Sequence, residues 1–114
     1  MWEIELEPEV AVWMEDLSPT DFAIVLAHVE RLGERGNLLR MPVSRSLGGG
    51  LFELRFDLGR TARRIAYYFG NRRTIVLLTT FRKQRSNERH EVARARRSME
   101  RCIAEGHLEG KDRT

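Results

Sequence analysis

Cysteine is nearly absent: Cys102 stands alone among 114 residues. No internal disulfide can form, and such a chain suits a reducing compartment. No apolar stretch approaches the roughly 20 residues a membrane-crossing helix requires. Met1–Glu5 places no basic segment ahead of an apolar run, so no secretory leader is expected and the expected compartment is the cytoplasm. Histidine is limited to His28, His90 and His107, and with one cysteine these give no spacing suited to a metal. Gly48-Gly49-Gly50 lacks the Gly-Lys-Ser/Thr ending of a phosphate loop, and its expected role is to free the chain before a strand. Internal repeats and low-complexity segments are missing too. No cofactor is expected.

What is present is charge, unevenly placed. With 41% hydrophobic and 32% charged residues, the chain reads as one folded domain able to bury a modest core. Residues 1–50 carry four Arg/Lys against nine Asp/Glu, whereas residues 51–114 carry sixteen against eight. That asymmetry points to an anionic partner for the second half. The basic residues fall on predicted strands and a loop as well as a helix. This is unlike an amphipathic helix lying on a membrane.

Periodicity predicts the order β-α-α-β-β-β-α, an α+β domain with a mainly antiparallel four-stranded sheet and helices packed on one face. Trp2–Leu6 alternates as a half-buried strand. Pro8 opens a helix carrying Val10, Trp13, Met14 and Leu17. Ser18-Pro19-Thr20-Asp21 is a helix start, with Ser18 as cap. Phe22, Val25, Leu26, Val29 and Leu32 form the following apolar stripe, and Gly33 and Gly36 end it. Residues 37–50 read as a loop. Strands follow at Leu51–Asp57, Ala62–Phe69 and Thr74–Phe81, the last apolar enough to be buried on both faces. Short links between them favour a meander. The last helix is predicted from about Glu88 to Ala104, with Val92, Ala95, Met99 and Ile103 on its apolar side. Residues 1–105 form the expected domain, and residues 106–114 a polar, flexible tail.

Arg55 and Arg64 carry the chemical interest. They fall on adjacent strands at positions pointing away from the predicted core, so Glu53, Arg55, Arg64 and Tyr68 are expected on a face open to solvent or a ligand. Two arginines held close call for an anion or an acid between them. Either they hold phosphate, through forked donors that also suit a transition state gaining negative charge, or they pair structurally with Glu53 or Asp57. Arg82, Lys83 and Arg85 leave the adjacent strand as a basic loop. His90 follows at the start of the last helix and is either a general acid or base or simply exposed. Tyr67 belongs with the core, whereas Tyr68 sits with Arg64 and could stack on a base. Arg60, Arg72 and Arg73 read as solvated turn residues, and the helix arginines Arg94, Arg96, Arg97 and Arg101 as a solvated face. His28 and Cys102 read as packing residues.

Four segments resemble RelE/HigB-type toxins, especially their phage-derived HigB-like branch. They are Arg45-Ser46-Leu47-Gly48-Gly49-Gly50-Leu51-Phe52-Glu53-Leu54-Arg55, Arg64-Ile65-Ala66-Tyr67-Tyr68-Phe69, Thr80-Phe81-Arg82-Lys83-Gln84 and Glu91-Val92-Ala93-Arg94-Ala95. The resemblance implies an mRNA endonuclease acting in the ribosomal A site, metal-independent, with the RNA 2′-hydroxyl attacking the adjacent phosphate. Its implied partner is a cognate antitoxin, a helix-turn-helix protein of the HigA kind. It implies catalytic roles for Arg55, Arg64, Lys83 and His90, and RNA contacts from Arg45, Tyr68, Arg82, Arg85 and Arg89. Gln84 departs from the pattern, since many relatives carry a second lysine there. The same superfamily contains ParE-like toxins that poison gyrase without cutting RNA. A non-catalytic RNA-binding module would also account for the charge.

Overall fold

The computed structural model describes residues 1–112, with side chains described through residue 106. The predicted meander is present: β3 (Leu51–Leu58), β4 (Thr61–Phe69) and β5 (Thr74–Arg82) pair antiparallel in sequence order. β1 (Glu3–Leu6) lies parallel to β5 on its outer side, in register from Glu3 opposite Thr74 to Leu6 opposite Leu77. The sheet has five strands rather than the expected four, in the order β1-β5-β4-β3-β2. The additional strand, β2 (Ser44–Gly48), comes from the segment read as loop and pairs antiparallel with β3. Its sequence shows no apolar alternation; this edge strand is held by its ladder to β3, with Ser44 buried and Leu47 packed on the α3-side core. Gly48, Gly49 and Gly50 all adopt positive φ (89°, 62° and 87°), which turns the chain directly into β3.

Helices cover both faces of this sheet, not one. On one side, α1 (Pro8–Glu15) and α2 (Pro19–Arg35) bring Val10, Met14, Val25, Val29 and Leu32 onto Leu54, Phe56, Ile65, Tyr67, Ile75 and Leu77. On the other, α3 (Glu88–Asp112) sets Ala95 and Met99 on Leu51, Ala66, Val76 and Leu78. The cause is visible in β5, where every residue from Thr74 to Phe81 is buried. A strand apolar on both sides cannot leave one side wet. α3 also continues to Asp112, past its predicted end near Ala104. Gly106 raises the cost of the helix by about 1 kcal/mol without ending it. Residues 113–114 of the expected tail, and the side chain of His107, lie outside the described residues.

Several local readings hold. Ser18 Oγ accepts from Asp21 N at 3.1 Å, and Pro19 opens α2. His28 stacks on Phe56 with ring centroids 4.9 Å apart, and burial lowers its pKa. Phe22 and Leu26 are more open than a core stripe implies, at 39% and 37% exposure. α2 ends at Gly36, whose φ of 53° and contact with the Trp2 indole admit no side chain: an added Cβ would lie 2.1 Å from Nε1. The β4–β5 turn is less comfortable. Arg72 and Arg73 both adopt left-handed φ (56° and 57°), where Asn-Gly is the favoured pair. Arg73 gains a partial offset by placing its guanidinium 4.7 Å from the Trp2 ring centroid. No helix among the described residues is long and apolar enough to cross a membrane.

Three stability measurements test these positions. Gly36→Ala combines a disfavoured φ with a steric clash and should lower unfolding free energy by about 2 kcal/mol or more in urea titration. Arg72→Gly should raise it by roughly 0.5–1 kcal/mol. Arg73→Gly should be close to neutral, because relief of φ is offset by the lost contact with Trp2.

Candidate nucleic-acid interface

The register of β3 and β4 places Arg55 directly across from Arg64, and Glu53 across from Ala66. β2 adds Arg45 across from Glu53. These side chains share the face covered by α3. The two arginines are therefore adjacent on one face, but that face is not open. Arg64 retains 6% exposure and Glu53 1%. Arg64 Nε lies 3.4 Å from Glu53 Oε2, and Nη1 donates to Arg63 O at 2.9 Å. The structural ion pair is thus the alternative realised for Arg64, and the solvent-facing expectation for Arg64 and Glu53 is corrected. Its cause is the last helix lying on this side of the sheet. Glu88, at the start of α3, forms an ion pair with Arg45 at 3.9 Å and also acts electrostatically on Arg64. Burial and the neighbouring Arg55 charge lower the Arg64 pKa, while Glu53, Glu88 and Asp57 oppose that shift.

Arg55 is half-buried. Its Nη1 donates to Met41 Sδ at 3.3 Å, and its buried Nε has no partner. Among the described residues no protein hydrogen bond engages Nη2 of either Arg55 or Arg64. Those two nitrogens carry donors left for a ligand.

Beyond this row the strand ends in a fully exposed basic segment. Arg82, Lys83, Arg85 and Arg89 are all exposed, and no ion pair engages any of them among the described residues. The segment starts from an ordered base, because Lys83 N donates to Ala62 O at 2.8 Å and prolongs the β4–β5 pairing. Gln84, with its amide oxygen turned toward Arg82, accepts from Nε at 3.2 Å and Nη2 at 2.9 Å. His90 is exposed in the first turn of α3, and no hydrogen bond joins it to Arg55 or Arg64.

Tyr68 does not join the arginines. It lies four residues along β4 from Arg64, roughly 13 Å at strand spacing, and packs beside Leu51 and Met99 in the core beneath α3. Burial, with Cys102 and Glu7 nearby, pushes its pKa up to about 12. Tyr68 is only partly buried, so its expected full solvent exposure on this face is corrected, while its stacking on a base stays a proposal. Cys102 packs in the same core, its thiol also pushed up to about 12, chiefly by burial.

Arg63 was not among the predicted site residues. It follows the strand's other parity, so it faces α1, with its guanidinium 4.4 Å from the Trp13 ring centroid and Nη2 donating to Thr80 Oγ1 at 2.7 Å. The signal was its alternation with Ile65, Tyr67 and Phe69. Two arginines assigned to a solvated helix face are structural instead. Arg94 pairs with Glu9 and Glu91, and Arg96 donates to Leu47 O at 2.9 Å and Gly48 O at 3.0 Å. A cleft of about 290 Å³ opens on the α1–α2 side, lined by residues including Arg40, Met41, Ser44, Phe52 and Tyr67. Within it Ser44 Oγ and Tyr67 OH are 2.5 Å apart.

Residues 12–100 match the family described as "Phage derived protein Gp49-like (DUF891)". The chain belongs to that family, one of the RelE/HigB-like toxin families. No curated protein matches the sequence. Among solved structures, the chain resembles one from the intact E. coli RelBE toxin–antitoxin complex, with TM-score 0.56 and 10% identity over 75% of this chain and 100% of that one. It also resembles the isolated E. coli RelE toxin, with TM-score 0.56 and 11% identity over 82% of this chain and 97% of that one. At these identities the likeness is one of fold: the Gp49-like chain has the RelE toxin fold.

The buried Arg64–Glu53 pair should behave as a unit. Glu53→Ala, which strands the guanidinium, should cost about 3–5 kcal/mol in chemical denaturation, whereas Glu53→Leu combined with Arg64→Met should recover most of that loss.

Proposed function

We propose that this Gp49-like protein is the toxin of a type II toxin–antitoxin pair and an endoribonuclease that cuts mRNA in the ribosomal A site. The observation that carries the reading is the exposed cationic segment Arg82, Lys83, Arg85 and Arg89, which runs on from the end of β5 on a RelE toxin fold, with Arg82 across from Arg63 on β4. Family membership supports the toxin assignment. The RelBE complex, a toxin bound to its antitoxin, supports a partner of that kind, for which a helix-turn-helix protein of the HigA type is proposed.

In this reading the exposed segment tracks the RNA backbone. Lys and Arg neutralise phosphates there and release counterions. The 2′-hydroxyl attacks the adjacent phosphorus, the 5′-oxygen leaves, and the products carry a 2′,3′-cyclic phosphate and a 5′-hydroxyl. No metal is assigned a role. The free Nη2 donors of Arg55 and Arg64 receive the non-bridging oxygens, where negative charge grows in the transition state. Arg45 lies at the border of this row. Lys83 and His90 are the proton-transfer candidates, both exposed and close in sequence to the segment.

The burial of Arg64 against Glu53 favours a second reading, an RNA-binding module without cleavage. Induced expression in a bacterium, followed by mapping of transcript ends, separates the two. New ends within coding regions are expected. Growth arrest without new ends would leave the binding reading, and DNA breaks in their place would indicate a gyrase-directed toxin. Replacing Arg82, Lys83 and Arg85 together by alanine should abolish arrest. In titrations of purified protein against single-stranded RNA, it should also flatten the dependence of log K on log salt by about 2.

A further inference from the structure

Glu53 is the most fully buried carboxylate among the described residues, at 1% exposure, and neither of its oxygens accepts a hydrogen bond. A buried carboxylate without such bonds is costly to keep. Its cation, Arg64 Nε, stands at 3.4 Å, beyond the roughly 2.7–2.9 Å of a charge-assisted bond. Directly across β3 and β4, the buried Arg55 Nε is also unpartnered. A fold selected for stability alone would fill this position with an apolar residue, as Leu51 does one step along the same face. The acid is instead placed so that Arg64 is pinned along its stem: Nε faces Glu53, Nη1 is fixed to the Arg63 carbonyl, and Nη2 alone is left without a protein partner.

We propose that Glu53 is a positioning residue for RNA cleavage, fixing the Arg64 guanidinium so that its one free nitrogen is held beside that of Arg55. This rests on the nuclease reading above. Glu53, at 1% exposure, touches no substrate. It restrains a group whose aim matters, because misplacing such a group by an ångström can cost roughly 10²-fold in rate.

The test is steady-state cleavage of a short mRNA on programmed ribosomes by toxin purified away from its antitoxin. Glu53→Gln should lower kcat by at least about tenfold and leave KM within about twofold. If Glu53 acts through Arg64, then Arg64→Lys and the double variant Glu53→Gln/Arg64→Lys should cleave at equal rates. Thermal melting of each variant reports folding. Should Glu53→Gln not fold, Glu53→Asp, which keeps the charge but withdraws it by one methylene, should show the same loss of kcat. Parental kcat in the folded Glu53 variant, or losses that multiply in the double variant, overturns the proposal and leaves the nuclease reading standing. Absence of cleavage by the parent protein overturns both.

Discussion

α3 lying on the second face of the sheet is the constraint from which the remaining geometry follows. β4 and β5 are apolar on both sides, and Leu51, Ala66, Val76 and Leu78 need cover that only this helix supplies. Once Ala95 and Met99 are seated there, the start of α3 comes down beside Arg45 and Arg64 through Glu88. The same placement partly buries Tyr68 and Cys102 and leaves His90 and Arg89 outside. The segment between β5 and α3 then has one course, along the open end of the strands. Its cations are exposed because the chain has no second layer left to bury them.

Directional contacts fix the helix in that position where apolar packing alone would let it slide. At the β5 edge, β1 stops pairing at Leu77 and leaves later backbone groups of β5 open. Glu9 closes that gap by accepting from Thr80 N at 3.0 Å, and Arg94 binds Glu9 while also reaching Thr80 O at 3.4 Å. One ion pair thus joins α1 to α3 around the edge and blocks further strand pairing there. At the opposite side, Arg96 holds the β2–β3 turn by two backbone carbonyls. An added Cβ at Gly49 would lie 3.0 Å from Arg96 Nη1, whereas one at Gly48 or Gly50 would meet nothing within 4 Å, so the triple glycine serves chiefly the turn.

The sequence was legible where a pattern has a local cause. Ser18 and Pro19 start α2, Gly36 ends it, and the three meander strands announce themselves by alternation. It was less legible where an element is made by its partner. β2 has no apolar period because its ladder to β3 defines it. The side of the sheet taken by α3 depends on tertiary packing, although a β5 buried on both faces already demanded two covers. That one omission produced the principal error at the site. With helices assigned to a single face, Glu53, Arg55, Arg64 and Tyr68 read as an open surface, whereas α3 closes over most of it. Adjacency of Arg55 and Arg64 followed from strand register, but accessibility did not.

Charge at the strand end separates into two environments. Around the buried row, Arg45, Arg55 and Arg64 face Glu53, Asp57 and Glu88, so the cluster is close to neutral and cannot by itself attract a polyanion. Under the proposed function, attraction would belong to Arg82, Lys83, Arg85 and Arg89, which have no ion-pair partners among the described residues and are exposed, where salt screens them. A neutral, partly desolvated row with two free guanidinium donors is poor at capture but suited to act on charge that develops locally, because its dipoles are already oriented. An exposed arginine pair would bind the ground-state phosphate as strongly as the transition state, and uniform binding of that kind does not raise kcat. Burial of Arg64 beside an acid therefore weakens its case as a phosphate anchor while remaining compatible with a catalytic role. The two readings differ in whether the free nitrogen of Arg64 meets phosphate after the exposed segment has captured the strand.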